Sequence, residues 1–319
     1  MGAALVGSDA MPSPSRPRSP GPSTAGPVLQ LLDASPYIFR AFFSLPSSMT
    51  DPAGRPVNAV RGFVDMLVRF LREERPDHLL IAFDGSLTTS FRNDVYPEYK
   101  ANRELPDEDL VAQLEGCQTV AAAMGAYCCI DDRYEADDLV ATAKARFGGD
   151  VGRTVVVTAD KDLAQLVDDR TTFHDFARDL RLGPADVVER YGVRPEQIRD
   201  LLGLAGDSVD NIPGVRGVGP KTAIALLAEF ADLDELYADL GRVETLPIRG
   251  ARTLGAKLAE HREAAFLSRD LATCATDAPL DATLEDLAYR GADPGILAPV
   301  LEGFGLAGRL DAVPHRSTP

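Results

Sequence analysis

The densest acidic chemistry in the chain lies between Glu135 and Leu163. Glu135, Asp137 and Asp138 open an apolar-periodic run that continues to Phe147, and Asp160 and Asp162 follow the run Val155, Val156, Val157, Thr158. On a helix Glu135 and Asp138 share a face, with Asp137 about 100° from its neighbour. Leu139, Val140, Ala143 and Phe147 make the buried stripe of that helix, so the acids occupy its first turn, where the helix dipole favours negative charge. The strand ends just before Asp160 and Asp162, and in open parallel sheets sites collect outside the carboxyl ends of strands. Taken alone, the stretch also reads as a capped helix and a polar loop, because acids are common at helix starts.

Two further aspartates lower that reading. Residues 28–32 are a short apolar run ending at Asp33, and residues 78–83 are another ending at Asp84. Between them residues 59–72 carry helical spacing through Val60, Phe63, Val64, Leu67, Val68 and Leu71. Strand, helix and strand predict a parallel unit with a right-handed crossover. Residues 41–56 read as a loop, with breakers at Pro46, Pro52, Gly54 and Pro56. Asp33, Asp84 and Asp160 then leave three strands at one edge of a sheet. One such aspartate is turn chemistry; three beside the Glu135 helix predict a metal-binding carboxylate cluster. Oxygen donors without His or Cys suit hard divalent cations, and the four histidines are scattered with no pair at ligand spacing.

Residues 86–103 interleave Phe91, Tyr96 and Tyr99 with Arg92, Lys100 and Arg103. That mixture suits stacking on bases and contact with phosphates, although a solvated loop has the same composition. Residues 107–125 read as a helix and 127–130 as a strand leading to Glu135. Residues 163–167 finish a helix, 171–176 form a strand, and 184–191 and 195–202 form helices with proline near the start. In the next dense region, Asp207 and Asp210 are three apart and can face one ion. Gly214, Gly217 and Gly219 predict a tight hairpin between two helices, where bare N–H groups beside a helix start can accept a phosphate. Arg216, Lys221 and Thr222 lie in it, and no acid occurs between Asn211 and Glu229. From residue 231 onward the pattern is helical and reads as scaffold.

A length of 319 residues suggests about two domains, and 45% hydrophobic with 26% charged residues is ordinary for a globular protein. A net charge of −16 excludes a broadly basic nucleic-acid binder. A local basic patch beside a metal site stays compatible with it, because bound divalent ions change the sign of a carboxylate cluster. Cys117, Cys128, Cys129 and Cys274 make no CxxC pair and read as reduced core thiols of a cytoplasmic protein. No apolar run reaches the ~20 residues of a membrane span. Residues 1–27, rich in Pro, Ser, Gly and Ala, read as a disordered tail.

Four ordered stretches carry a family resemblance: Phe91-Arg92 through Tyr99-Lys100-Ala101-Asn102-Arg103, Tyr134-Glu135-Ala136-Asp137-Asp138, Thr158-Ala159-Asp160-Lys161-Asp162-Leu163, and Gly206-Asp207 through Lys221-Thr222. The sequence resembles the bacterial 5′→3′ exonuclease and flap-endonuclease family, which also forms the N-terminal domain of DNA polymerase I. With no polymerase following, it looks like a free-standing member. The resemblance implies an α/β fold, a PIN-like (resolvase-like) central parallel sheet flanked by helices, with a C-terminal helix-hairpin-helix subdomain. It places a nuclease domain at 28–183 with a helical arch at about 86–106, the hairpin subdomain at 184–285 and an extension at 286–319. It implies metal ligands at Asp33, Asp84, Glu135, Asp137, Asp138, Asp160, Asp162, Asp207 and Asp210, and catalytic roles for Tyr99, Lys100 and Arg103. DNA contacts fall at Arg92, Gly214, Arg216, Gly217, Gly219, Lys221 and Thr222. The implied activity is 5′→3′ exonuclease and flap endonuclease by a two-metal-ion mechanism, with two Mg²⁺, Mn²⁺ as a substitute, and K⁺ at the hairpin. Implied partners are DNA with a 5′ single-stranded end or flap and a separate DNA polymerase, bound by a monomer. One departure stands out: Ala34 follows Asp33 where the family usually has glycine. If that backbone needs positive φ, alanine is strained, Asp33 is misplaced, and the chain becomes a catalytically weak module that binds branched DNA.

Overall fold

A computed structural model describes residues 26–86, 88–103 and 108–316. The tail expected at 1–27 lies outside the described residues except for its last two, as do Leu87 and residues 104–107 of the expected arch. The frame is one six-stranded sheet of β1 (Val28–Asp33), β2 (His78–Asp84), β3 (Tyr127–Asp131), β4 (Arg153–Val157), β5 (Thr171–Asp175) and β6 (Leu180–Leu182), in the order β3-β2-β1-β4-β5-β6. The first five strands are parallel, and β6 adds an antiparallel edge. Inner strands such as β2 are apolar along their length and buried, as a sheet covered on both faces requires. Strand order reverses between β1 and β4, which makes the crevice at their carboxyl ends the switch point where sites form. The register pairs Leu32 with Val157, so Asp33 and Thr158 emerge side by side.

Helices α1 (Ser35–Ser44), α2 (Asn58–Glu74), α3 (Arg92–Val95), α4 (Glu108–Ala123) and α5 (Ala136–Phe147) surround the sheet. α2 buries Phe63, Leu67 and Phe70 in one core layer with Val120 and Met124. α5 buries Leu139, Val140, Ala143 and Phe147 in the opposite layer with Leu29, Leu31 and Leu80, so its expected stripe is buried. Residues 41–44, expected in a loop, instead complete α1. Pro36 sits in the first turn of α1, where its missing N–H costs least, and Ile38 and Ala41 are buried one turn apart. Gly62 of α2 lets them in, since a Cβ there would lie 2.5 Å from that of Ala41. Three neighbouring phenylalanines, Phe39, Phe42 and Phe43, blur the helical period in the sequence.

A second body follows: α6 (Pro184–Tyr191), α7 (Ile198–Ala205), α8 (Pro220–Leu227), α9 (Leu233–Ala238), α10 (Leu240–Val243), α11 (Ala251–Glu260) and α12 (Arg262–Ala272). Its own core includes Leu202, Leu204, Val218, Leu226 and Leu258. The chain then returns to the α/β body well before residue 285. Cys274, Ala278, Leu280 and Leu287 join the core layer of α5, and Tyr289 N–H donates to the Asp77 carbonyl at 2.9 Å. α13 (Pro294–Gly303) places Leu297 and Leu301 in the core of α2 and α4. The stretch expected as an extension at 286–319 therefore completes the sheet domain through α13.

Candidate active site

The strand ends deliver the acids as the alternation of apolar runs and aspartates requires. Asp33 ends β1 and Asp84 ends β2, Glu135 caps α5 and Asp137 lies in its first turn, and Asp160 caps the short 3-10 turn Lys161–Leu166 after β4. Asp207 and Asp210 come from the loop after α7. All of these, with Asp162, Lys100 and Arg103, line one cleft of about 600 Å³. Asp131, the aspartate ending β3, differs in use: its Oδ1 accepts from the Arg133 and Tyr134 N–H groups, which is turn chemistry.

Small hydroxyl residues hold the innermost carboxylates. Thr158 Oγ1 donates to Asp33 Oδ2 at 2.8 Å, the Ser35 N–H donates to Asp33 Oδ1 at 3.2 Å, and Ser35 Oγ donates to Asp84 Oδ2. The Ala136 N–H fixes the other Asp84 oxygen at 2.9 Å. Ser35 and Thr158 were not singled out in the sequence. Their only signal is position, one or two residues from a strand-end aspartate. Ala34 is helical at φ −79°, fully buried, and its N–H bonds the Ala82 carbonyl. The expectation of strain there fails, because this backbone suits alanine and Asp33 stays in place.

Two lysines bridge the acids. Lys100 Nζ is 2.8 Å from Glu135 and 3.8 Å from Asp210, and Arg103 pairs with Asp210. Lys161 Nζ lies 2.9 Å from Asp207 and 3.5 Å from Asp162, a role its place between Asp160 and Asp162 could have suggested. Lys100 itself is held at φ 56°, a strained setting for a non-glycine residue. Its N–H donates to the Asp210 carbonyl and Asn211 Nδ2 donates to the Glu98 carbonyl, so the loop after α7 fixes the Lys100 turn.

Electrostatics mark the same floor. Burial, then Asp84 and Asp160, push Asp33 up to about 8. Burial and Asp160 push Asp162 up to about 7. Asp84 is raised by burial and Glu135, and Asp137 is raised well above the carboxylate range by burial, Asp33 and Asp160. Burial pushes Glu135 up as well, but Lys100 and Arg92 more than offset this and leave it low. Along the cleft nine carboxylates face five cationic side chains, a surplus of negative charge that divalent cations with a preference for oxygen can neutralise. No three His, Cys, Asp or Glu side chains among the described residues close into a ready-made ion shell. The fit is one of donor type and charge.

Three expected site residues stand elsewhere. Asp138 is fully buried and does not line the cleft. Both its oxygens are engaged by Arg92, Glu135 and Ala275, which corrects the expectation that it ligates metal. Arg92, expected at DNA, is 3% exposed. Tyr99 is also buried, and its hydroxyl donates to Glu135 Oε2 at 3.2 Å. The glycine hairpin lies apart from the cleft between α7 and α8. Gly214 (φ 63°) and Gly217 (φ 80°) have left-handed backbones, Gly219 does not, and Arg216 and Lys221 are exposed.

Comparison with known proteins decides the family. Residues 28–192 match the N-terminal resolvase-like domain of the 5′-3′ exonucleases, and residues 193–295 match their C-terminal SAM fold. This chain belongs to the 5′-3′ exonuclease family. It is 45% identical over 262 residues to DNA polymerase I of Pseudomonas aeruginosa, covering 81% of this chain and 28% of that protein. Against DNA polymerase I of Bacillus caldotenax it is 36% identical over 294 residues, covering 91% and 33%. The chain thus spans about a third or less of these relatives. Its fold resembles the T5 5′-exonuclease with zinc bound (TM-score 0.65, 21% identity, 86% of this chain and 99% of that one). It also resembles the catalytic core of Rad2 with its DNA substrate (TM-score 0.58, 16% identity, 87% of each). No helix among the described residues is long and apolar enough to cross a membrane.

Proposed function

We propose that this 5′-3′ exonuclease family member hydrolyses DNA phosphodiester bonds at 5′ single-stranded ends and flaps, in replication and repair. One observation carries the reading: Asp33, Asp84, Glu135, Asp137, Asp160, Asp162, Asp207 and Asp210 converge on one cleft. Two Mg²⁺, or Mn²⁺ in their place, fit these oxygen donors; when bound they supply the charge that makes water reactive and a leaving oxygen stable at neutral pH. Asp33, Asp84, Glu135 and Asp137 hold one ion; Asp160, Asp162, Asp207 and Asp210 hold or orient the second. Lys100 and Arg103 rise from the arch side of the cleft and position the phosphate, an electrostatic role, while Tyr99 fixes Glu135 from behind. The exposed Arg216 and Lys221, with the N–H groups and Thr222 at the start of α8, grip the duplex backbone, with K⁺ seated at the hairpin. The chain acts in the cytoplasm as a monomer, in step with a DNA polymerase. The rival reading, a weak binding module, drew on strain at Ala34, which is absent.

The test is cleavage of an internally labelled 5′-flap DNA by the purified protein, with Mg²⁺ and with EDTA, beside the same duplex without a flap. Mg²⁺-dependent cutting near the flap junction is expected. A band shift with no cutting in Mg²⁺, or in Mn²⁺ put in its place, sinks the enzyme reading and restores the binding module.

A further inference from the structure

Arg92 and Asp138 have a geometry that neither metal binding nor DNA binding explains. Asp138 Oδ1 accepts from Arg92 Nη2 at 2.8 Å and from the Ala275 N–H at 2.7 Å; Oδ2 accepts from Arg92 Nη1 at 2.8 Å and from the Glu135 N–H at 3.1 Å. A carboxylate offers about four acceptor sites, so none is left for a cation. Arg92 is equally committed. Its Nε donates to the Leu271 carbonyl at 2.7 Å and Nη2 donates to the Thr273 carbonyl at 3.0 Å. Nη1 also stands 3.7 Å from Glu135 Oε2.

These bonds join three separate pieces of chain: the base of the arch at α3, the acid-bearing first turn of α5, and the crossover at 271–275 where α12 leaves the helical body. α12 in turn reaches the hairpin, because the Gly214 N–H donates to the buried Ser268 Oγ at 2.9 Å. Buried pairs of this kind are weak evidence for net stability but strong determinants of geometry when every donor and acceptor is met.

We infer that Arg92 and Asp138 form a buried clamp that positions Glu135 and Asp137 against the hairpin body, and that neither touches metal or DNA. The inference rests on the nuclease reading of the cleft. If it holds, the two residues act as one unit and substitutions at them are strongly non-additive. The variants are R92Q, D138N, the double R92Q/D138N, and R92K, which keeps the charge but loses the two-pronged fork.

Each single variant lowers single-turnover cleavage at saturating flap DNA by about tenfold to a hundredfold, the scale of a small misplacement of reacting groups. The double variant falls within about threefold of the worse single one. DNA affinity in EDTA changes by less than about threefold, because no phosphate contact is lost. Amide hydrogen exchange of the free protein speeds up at Glu135 and Ala275 and not within α2. R92K shows the same exchange change and decides the matter if another variant does not fold. Losses that multiply in the double variant overturn the clamp. So does an R92Q variant that binds DNA about tenfold more weakly yet cuts normally when saturated, or variants with a lowered Tm and unchanged rate and exchange. If the wild-type protein leaves every flap uncut, the nuclease reading fails instead, and the exchange data still judge the clamp.

Discussion

At the scale of residues, the acids were legible because a strand-end aspartate has a fixed place: the apolar run before it sets the edge of the sheet. What the residue types could not give was direction. Asp137 and Asp138 are neighbours, yet one lines the cleft and the other is fully buried under Arg92. Burial and repulsion among the acids that line the cleft have a consequence for pH. The pKa of Asp33 is raised to about 8 and that of Asp162 to about 7, above the unfolded value of about 3.9. The folded state therefore binds more protons than the unfolded one. The metal-free protein is at its best for these groups below about pH 4 and loses stability as pH climbs through 7 and 8. A divalent cation relieves that repulsion, so Mg²⁺ should raise Tm over EDTA by a few °C more at pH 8 than at pH 5.5. An equal gain at both pH values would detach the raised acids from metal binding. Asp160 is one of the charges that raise Asp33, Asp137 and Asp162. Asp160→Ala should lower cleavage by about a hundredfold or more while leaving DNA affinity intact, and should raise Tm in EDTA at pH 8. Retained turnover would remove Asp160 from the site.

At the scale of elements, α2 was readable because it buries one face, so period and burial coincide, and the inner strands because burial on both faces makes them unbroken apolar runs. α1 was not, since its aromatic residues fall on several faces and Pro36 resembles a breaker. The hairpin was read from glycine spacing alone, and its three glycines have different physical reasons. Gly214 is left-handed, and a Cβ there would lie 2.3 Å from the Gly206 nitrogen; Gly214→Ala should destabilise the protein by about 1–3 kcal/mol or more through strain and collision. Gly219 has φ −96° and nothing within 4 Å of where a Cβ would point, so the fold does not demand glycine there. If close approach of a phosphate does, Gly219→Ala should leave Tm within about 1 °C and weaken DNA binding by about tenfold. Fluorescence anisotropy with a labelled duplex measures this, and unchanged affinity would take the hairpin off the DNA.

At the scale of the molecule, the chain carries a net charge of −16 and still presents exposed cations at the hairpin, so charge is segregated and not merely low. The sequence showed this in the acid-free stretch from Ile212 to Ala228, which holds Arg216 and Lys221. It did not show the return of the chain after α12. The residues that reattach it, Cys274, Ala278, Leu280 and Leu287, are irregularly spaced among polar residues outside any α-helix, with only Leu287 in a short 3-10 turn, so no period betrays their burial. α13 does have a period, but it extends past residue 295, where the match to the C-terminal family domain stops. Its Leu301 is nonetheless fully buried in the same core as Phe63 and Leu67. Removing a leucine side chain from such a core costs about 2–5 kcal/mol, which for a protein of this size is about 5–10 °C in Tm. Leu301→Ala should show that loss by calorimetry in one cooperative transition, because α13 stabilises the sheet that carries Asp33 and Asp84. Cleavage well below the transition should stay near wild type, since Leu301 touches no part of the cleft. A separate low-temperature transition, with the main one unmoved, would make α13 an appendage and leave the sheet domain complete without it.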